Sequence, residues 1–139
     1  MYRNPVPVAV ALVPVLRIDG TRGLLGIQRG NGVGAGGLAF PGGYVDENES
    51  AETAAARELE EETGLLIPAT AWQLFASRVT PQNRLLLFTR SFTRIPEQAV
   101  MALTPTDEAR GFAVLGMASE LVFPTHQEIM RQELAAIGH

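Results

Sequence analysis

Residues Gly43 to Leu65 read GYVDENESAETAAARELEEETGL, and this stretch dictates one element almost unaided. Ser50 is a good N-cap, because its hydroxyl can accept from a backbone N–H that the first helical turn leaves unpaired. A helix is therefore expected over residues 51–63. Gly64 stands where a left-handed residue would end it. Along this helix Glu58, Glu61 and Glu62 have i, i+3, i+4 spacing, so they occupy about 100° of its surface, one above the other. Carboxylates stacked in this way repel unless something neutralises them. A hard divalent cation does so, and Mg²⁺ or Mn²⁺ prefers such oxygen ligands. Taken alone, a charge run of this kind is more often a solvated face. Ala51, Ala54 and Ala55 continue the glutamate face with small side chains, and Leu59 beside it should anchor the helix in the core. Glu60 points nearly opposite to Glu58 and Glu62 and is read as solvent-facing.

The fixed points of the stretch tip that balance toward a metal site. Gly43, Glu49, Arg57, Glu58, Leu59, Glu61, Glu62, Gly64 and Leu65 fit G-x5-E-x7-R-E-U-x-E-E-x-G-U, where U is apolar, without gap or mismatch. Seven positions demand one residue type, and at average usage a chance match at a given start is on the order of 10⁻⁹ to 10⁻⁸. The pattern resembles the signature of the Nudix hydrolases. That resemblance implies an α/β/α sandwich with a mixed β-sheet between helices. It also implies a Mg²⁺- or Mn²⁺-dependent enzyme that cuts a phosphoanhydride in a nucleoside diphosphate linked to another group.

The resemblance assigns roles residue by residue. It implies metal ligands in Glu58, Glu61, Glu62 and the carbonyl of Gly42. Pro41-Gly42-Gly43 makes a tight turn where backbone can approach a cation or phosphate, which places Gly43 beside substrate. Arg57 can pair with Glu61 at i+4, and the family has it orient the residue matching Glu49; contact with substrate is also expected of it. Arg29 ends a strand before a glycine-rich loop, where similar proteins use an arginine on substrate phosphate; a surface arginine is the plain alternative. Glu108 lies where many family members carry a carboxylate near the metals, although Gly111-Phe112 stands where a tryptophan is common. Glu58 and Glu108 are both candidates for the general base, and both remain open.

Length and composition bound the rest. A chain of 139 residues, 46% of them apolar, suits one domain over residues 1–139 with a full core. No stretch approaches the ~18 apolar residues needed to span a membrane. The run VPVAVALVPVL is read as a buried strand: prolines punctuate it and no A-x-A cleavage site follows. There is no Cys, which excludes thiolate chemistry and fits the cytoplasm. All eleven basic residues are Arg, so lysine Schiff bases and P-loop lysines are excluded. A net charge of −4 without a basic cluster argues against a nucleic-acid partner. The expected partner is a small nucleotide, with no membrane involved; a homodimer stays open.

Strands are expected at 7–18, 24–29, 71–79, 84–94 and 109–115, with a last helix at 125–137 and a loop over 95–106. Ten of the fourteen glycines lie between Gly20 and Gly43, and GNGVGAGG (30–37) is read as a flexible loop beside the site. Trp72 is read as core. His126 is read as packing or capping, with contact to a base or ribose as the alternative. The spacing of Pro81 and the Phe123–Ile129 segment resemble ADP-ribose pyrophosphatases, so ADP-ribose is the favoured substrate. The alternatives are a nucleoside triphosphate pyrophosphatase and, less favoured, a nucleotide sensor without turnover.

Overall fold

The structure is a computed structural model, and it describes residues 3–137. One extended segment near the N-terminus organises the whole. It forms β1 (Val6–Leu12) and then β2 (Pro14–Leu16). Its side chains alternate between two cores without losing phase across the junction. Ala9, Ala11, Val13 and Val15 enter one core, whereas Val10 and Leu12 enter the other. Alternation of this kind follows from the period of two in an extended chain.

The first half of the segment belongs to one sheet and the second half to another. β1 pairs antiparallel with β5 (Gly42–Tyr44) and parallel with β7 (Arg84–Ser91), which pairs antiparallel with β6 (Trp72–Val79). β2 pairs antiparallel with β3 (Arg22–Arg29) and parallel with β8 (Ile95–Pro96). β3 also pairs with β4 (Leu38–Ala39) and with β9 (Ala109–Leu115). Both sheets are therefore mixed.

Helices cover the two faces. The helix α1 (Ala51–Thr63) buries Ala54, Ala55 and Leu59 in the first core, where Val100 of the short α2 (Glu97–Met101) joins them. The helix α3 (Pro124–Ile137) buries Ile129, Met130 and Leu134 in the second core with Phe40 and Phe88. The result is the expected α/β/α sandwich. Among the described residues no helix is long and apolar enough to cross a membrane.

Two expectations are corrected. Residues 95–106 are not simply a loop, because β8 and α2 occupy their first half. Pro96 has extended backbone angles (φ −75°, ψ 155°) and sits at the N-cap of α2, where a missing N–H removes nothing the helix needs. β8 is held by parallel pairing to β2, far away in sequence, and only two residues take part. Such a strand has no local signal. The expected strand at 84–94 ends at Ser91, where the Ser91 hydroxyl turns the chain by donating to the Thr93 carbonyl at 2.8 Å. Trp72 is core, its indole N–H donating to the Ile67 carbonyl.

Candidate metal centre

The capped helix comes first. Ser50 Oγ accepts from Thr53 N–H at 3.1 Å, and Gly64, with φ of 79°, closes the helix by donating to the Glu60 carbonyl at 2.8 Å. With both ends fixed and Leu59 fully buried, α1 has one rotational setting against β1 and β5. That setting turns Glu58 and Glu62 inward, onto the face carrying Ala54 and Ala55, and leaves Glu60 exposed.

Three carboxylates meet there. Glu58, Glu62 and Glu108 each offer an oxygen, and all three oxygens lie within 4.8 Å of one another. Glu58 is 8% exposed and Glu62 3%, whereas Glu108 is exposed. Glu61 stands to the side of this group, half of its side chain in solvent, with its carboxylate 3.3 Å from Arg57.

The glycine turn closes on the helix. Gly42 N–H donates to Glu62 Oε2 at 3.0 Å. A Cβ at Gly43 would collide with the Glu58 carboxylate, so only glycine lets β5 lie this close to the helix.

Arg57 is a clamp. It forms a fork on Glu49, with Nε to Oε2 at 2.8 Å and Nη2 to Oε1 at 2.9 Å. Nη1 donates to Glu58 Oε1 at 2.9 Å, and Nη2 donates to the Tyr44 carbonyl at 2.9 Å. Asp46 adds a contact at 3.4 Å. Its guanidinium is occupied by protein partners and is held charged by them, the Glu49 hydrogen bonds foremost. The same bonds hold the Glu49 carboxyl below its ordinary range.

The electrostatics differ across the site. Burial raises Glu58, and Arg57 opposes that shift. Burial pushes Glu62 up to about 8; the Gly42 N–H works against this, while Glu58 and Glu108 add to it. A carboxylate this deep is an environment that a positive ion would relieve.

The family model of the NUDIX domain matches residues 5–132. The chain belongs to the Nudix family. A stretch of 65 residues is 40% identical to an ADP-ribose pyrophosphatase of Methanocaldococcus jannaschii, covering 47% of this chain and 37% of that protein. The chain thus spans little more than a third of the length of that relative. Among solved structures, a MutT/nudix family protein from Listeria innocua shares 29% identity at a TM-score of 0.74, covering 98% of this chain and 96% of that one. One from Enterococcus faecalis shares 22% at 0.80, with 99% of this chain and 63% of that one covered. The NUDIX domain of Shewanella oneidensis NrtR, solved with ADP ribose, shares 17% at 0.77, with 99% and 91% covered.

The other residues singled out in the sequence take clear places in this Nudix domain. Arg29 Nε donates to the Val33 carbonyl at 2.7 Å and its guanidinium lies 5.1 Å from the centre of the Phe123 ring. It thereby pins the glycine loop, and its charge bears on Glu62. His126 is buried among Phe40, Phe88 and Phe123, with ring centres 5.4, 5.8 and 5.0 Å away. Its Nδ1 accepts from Phe40 N–H at 3.2 Å. Burial lowers its pKa to about 3, so the imidazole is neutral and props the turn that leads to Gly42. Sequence reasoning missed Asp46 as a partner of Arg57 and missed Thr106, whose hydroxyl donates to the Glu62 carbonyl at 3.1 Å. The threonine's position hints only at its local turn, in which its hydroxyl accepts from Ala109 N–H, and not at the contact with Glu62.

Proposed function

We infer that the chain is a divalent-metal-dependent Nudix hydrolase acting on the pyrophosphate bond of a nucleoside diphosphate linked to another moiety, ADP-ribose first. The observation that carries this reading is the convergence of Glu58, Glu62 and Glu108 on one point, with the Glu62 carboxylate buried and, among the described residues, hydrogen-bonded only to the Gly42 N–H. An all-oxygen donor set of this charge fits Mg²⁺ or Mn²⁺. Glu58, Glu62 and Glu108 would hold the cation, and the family resemblance adds the Gly42 carbonyl and Glu61 as further ligands. When bound, such a cation neutralises phosphate charge and makes a water molecule acidic enough to attack phosphorus near neutral pH.

The protein groups divide the remaining work. Arg57 holds Glu58 by one oxygen and fixes its orientation. Glu108 takes no side-chain hydrogen bond among the described residues, so its carboxylate is the freer acceptor for a water proton, with Glu58 second. Arg29 is tethered through Nε, and among the described residues its terminal nitrogens take no hydrogen bond, which leaves them for phosphate oxygens. Gly43 gives a backbone edge free of side chain beside the carboxylates. The setting is the cytoplasm, where such nucleotides are made.

A nucleotide panel tests this reading. ADP-ribose, diadenosine polyphosphates and nucleoside triphosphates are incubated with Mg²⁺, and products are separated by anion exchange. AMP and ribose phosphate from ADP-ribose, abolished by EDTA, are expected. A triphosphate cut in preference would move the assignment to pool cleaning. Binding without turnover of any member, metal present, would make the domain a sensor.

A further inference from the structure

We propose that Thr106 is a positioning residue that sets the Glu108 carboxylate against Glu58 and Glu62. The inference rests on the metal-site reading above. Glu58 and Glu62 are placed by a capped helix, but Glu108 precedes β9 on a loop and needs another support. The Thr106 hydroxyl supplies it from both sides. It donates to the Glu62 carbonyl at 3.1 Å and accepts from Ala109 N–H at 3.2 Å. The Glu62 carbonyl belongs to the last turn of α1, where carbonyls have no partner within the helix. A single hydroxyl therefore completes the helix end and ties the loop to the residue whose carboxylate Glu108 must face.

The loop has three further ties, and none reaches α1; in one, Asn31 Nδ2 donates to the Asp107 carbonyl at 3.4 Å. Thr106 N–H donates to the Ala109 carbonyl at 2.9 Å, and Gly30 N–H donates to the Glu108 carbonyl at 2.9 Å. The Asp107 carbonyl lies against Gly30 so closely that a Cβ there would displace it. These contacts fix the loop to itself and to β3. Among the hydrogen bonds of the described residues, only that of Thr106 spans from the loop to the helix that carries the other two carboxylates. Without it, the separation of Glu108 from Glu62 depends on how far the second sheet shifts relative to α1. Partners that orient metal ligands at one remove commonly change metal affinity by roughly 10- to 100-fold when lost.

The test is a double-mutant cycle read by Mn²⁺ binding without substrate, followed by electron paramagnetic resonance, and by kcat and KM. Thr106→Val keeps the shape and removes the hydroxyl; it should weaken Mn²⁺ binding by roughly tenfold and lower kcat more than it raises KM. Thr106→Ser restores the hydroxyl and should return both to within about threefold of the starting protein. In a Glu108→Gln background, Thr106→Val should cost almost nothing further, because the group it positions is already lost. If Thr106→Val does not fold, Thr106→Ala, which admits water to Ala109 N–H, carries the same expectation. Unchanged Mn²⁺ affinity in the folded variant, or a full additional loss in the Glu108→Gln background, would overturn the inference alone. Absence of Mn²⁺ binding by the unmodified protein would overturn the metal-site reading together with it.

Discussion

Two of the three converging carboxylates stand on a helix and the third on a loop, and the supports differ in kind. Glu58 and Glu62 are placed largely by contacts close in sequence: the Ser50 cap, the Gly64 stop and the Arg57 clamp. Glu108 is placed by residues that are distant in sequence, Gly30 and Glu62 itself. The first kind of support forms as the helix forms. The second exists only once both sheets and α1 are assembled. The helix-borne pair is accordingly buried and electrostatically strained, and the loop-borne group is open to solvent. A site of this design joins a rigid half, suited to holding charge, to a half that can meet water and substrate.

The sharpest way to break this contrast is Glu62→Gln. It keeps size and the Gly42 hydrogen bond but removes the buried charge, and should lower kcat by roughly a thousandfold or more. Steady-state kinetics at saturating Mg²⁺ reads it, and a loss under tenfold would mean that the helix-borne pair does not carry the metal. Glu108→Gln should follow with a loss on the order of a hundredfold in kcat, the scale of a misplaced proton acceptor. A wild-type pH–rate profile in that variant would assign the proton transfer to Glu58 instead.

A third expectation concerns stability in EDTA. Burial holds Glu62 at about 8 in the folded protein, above the ordinary value of 4.5, so its ionisation opposes folding. Stability from this group is complete below the ordinary value and is lost as pH rises toward 8. Glu58 shifts in the same direction. Below about 6.5 the buried neutral His126 gains stability as pH rises and offsets this loss, so thermal melts should show Tm falling with pH between about 6.5 and 8, a flatter profile there for Glu62→Gln, and recovery on adding Mn²⁺ at the upper end. A Tm that rises over the same window would contradict the placement of Glu62. The smallest effect is expected of Glu60→Gln, within about threefold of the unmodified enzyme, because it alters only the solvated side of the same helix. Equal losses at Glu60 and Glu62 would show that the phase of α1 is wrong.

Legibility in the sequence divides along the same line. α1 spans 51–63 as read from Ser50 and Gly64, whose capping signals bracket the element itself, and the strand expected at 109–115 is β9. β8 escaped detection because two residues paired with β2 leave no periodicity. Within the site, Glu58 and Glu62 followed from spacing on one helical face. The same spacing put Glu61 with them, yet the helix turns its carboxylate partly outward to Arg57, since a face about 100° wide is broader than the buried stripe. Glu108 could be suggested only by resemblance, and Thr106 not at all as a tie, because its partner lies on another element. Arg57 was expected to pair with glutamates, and it does so with Glu49, Glu58 and Glu61; the Tyr44 carbonyl, a backbone partner with no side-chain signal, was not legible.

The unbroken alternation from Ala9 to Val15 has a consequence for how the chain can vary in length. Because consecutive side chains feed opposite cores, one residue inserted at Val13 would send every later side chain of β2 to the wrong face and detach β2 from the register that sets β3. Substitution within this segment is a question of volume, but insertion or deletion there is a question of topology. Length changes are cheaper at the tip of the tight turn between β6 and β7, where Pro81 and Gln82 face solvent and Asn83 already adopts a positive φ of 61°. The N-terminal strand thus acts as a ruler for the whole domain, and it can be rewritten in composition but not in count.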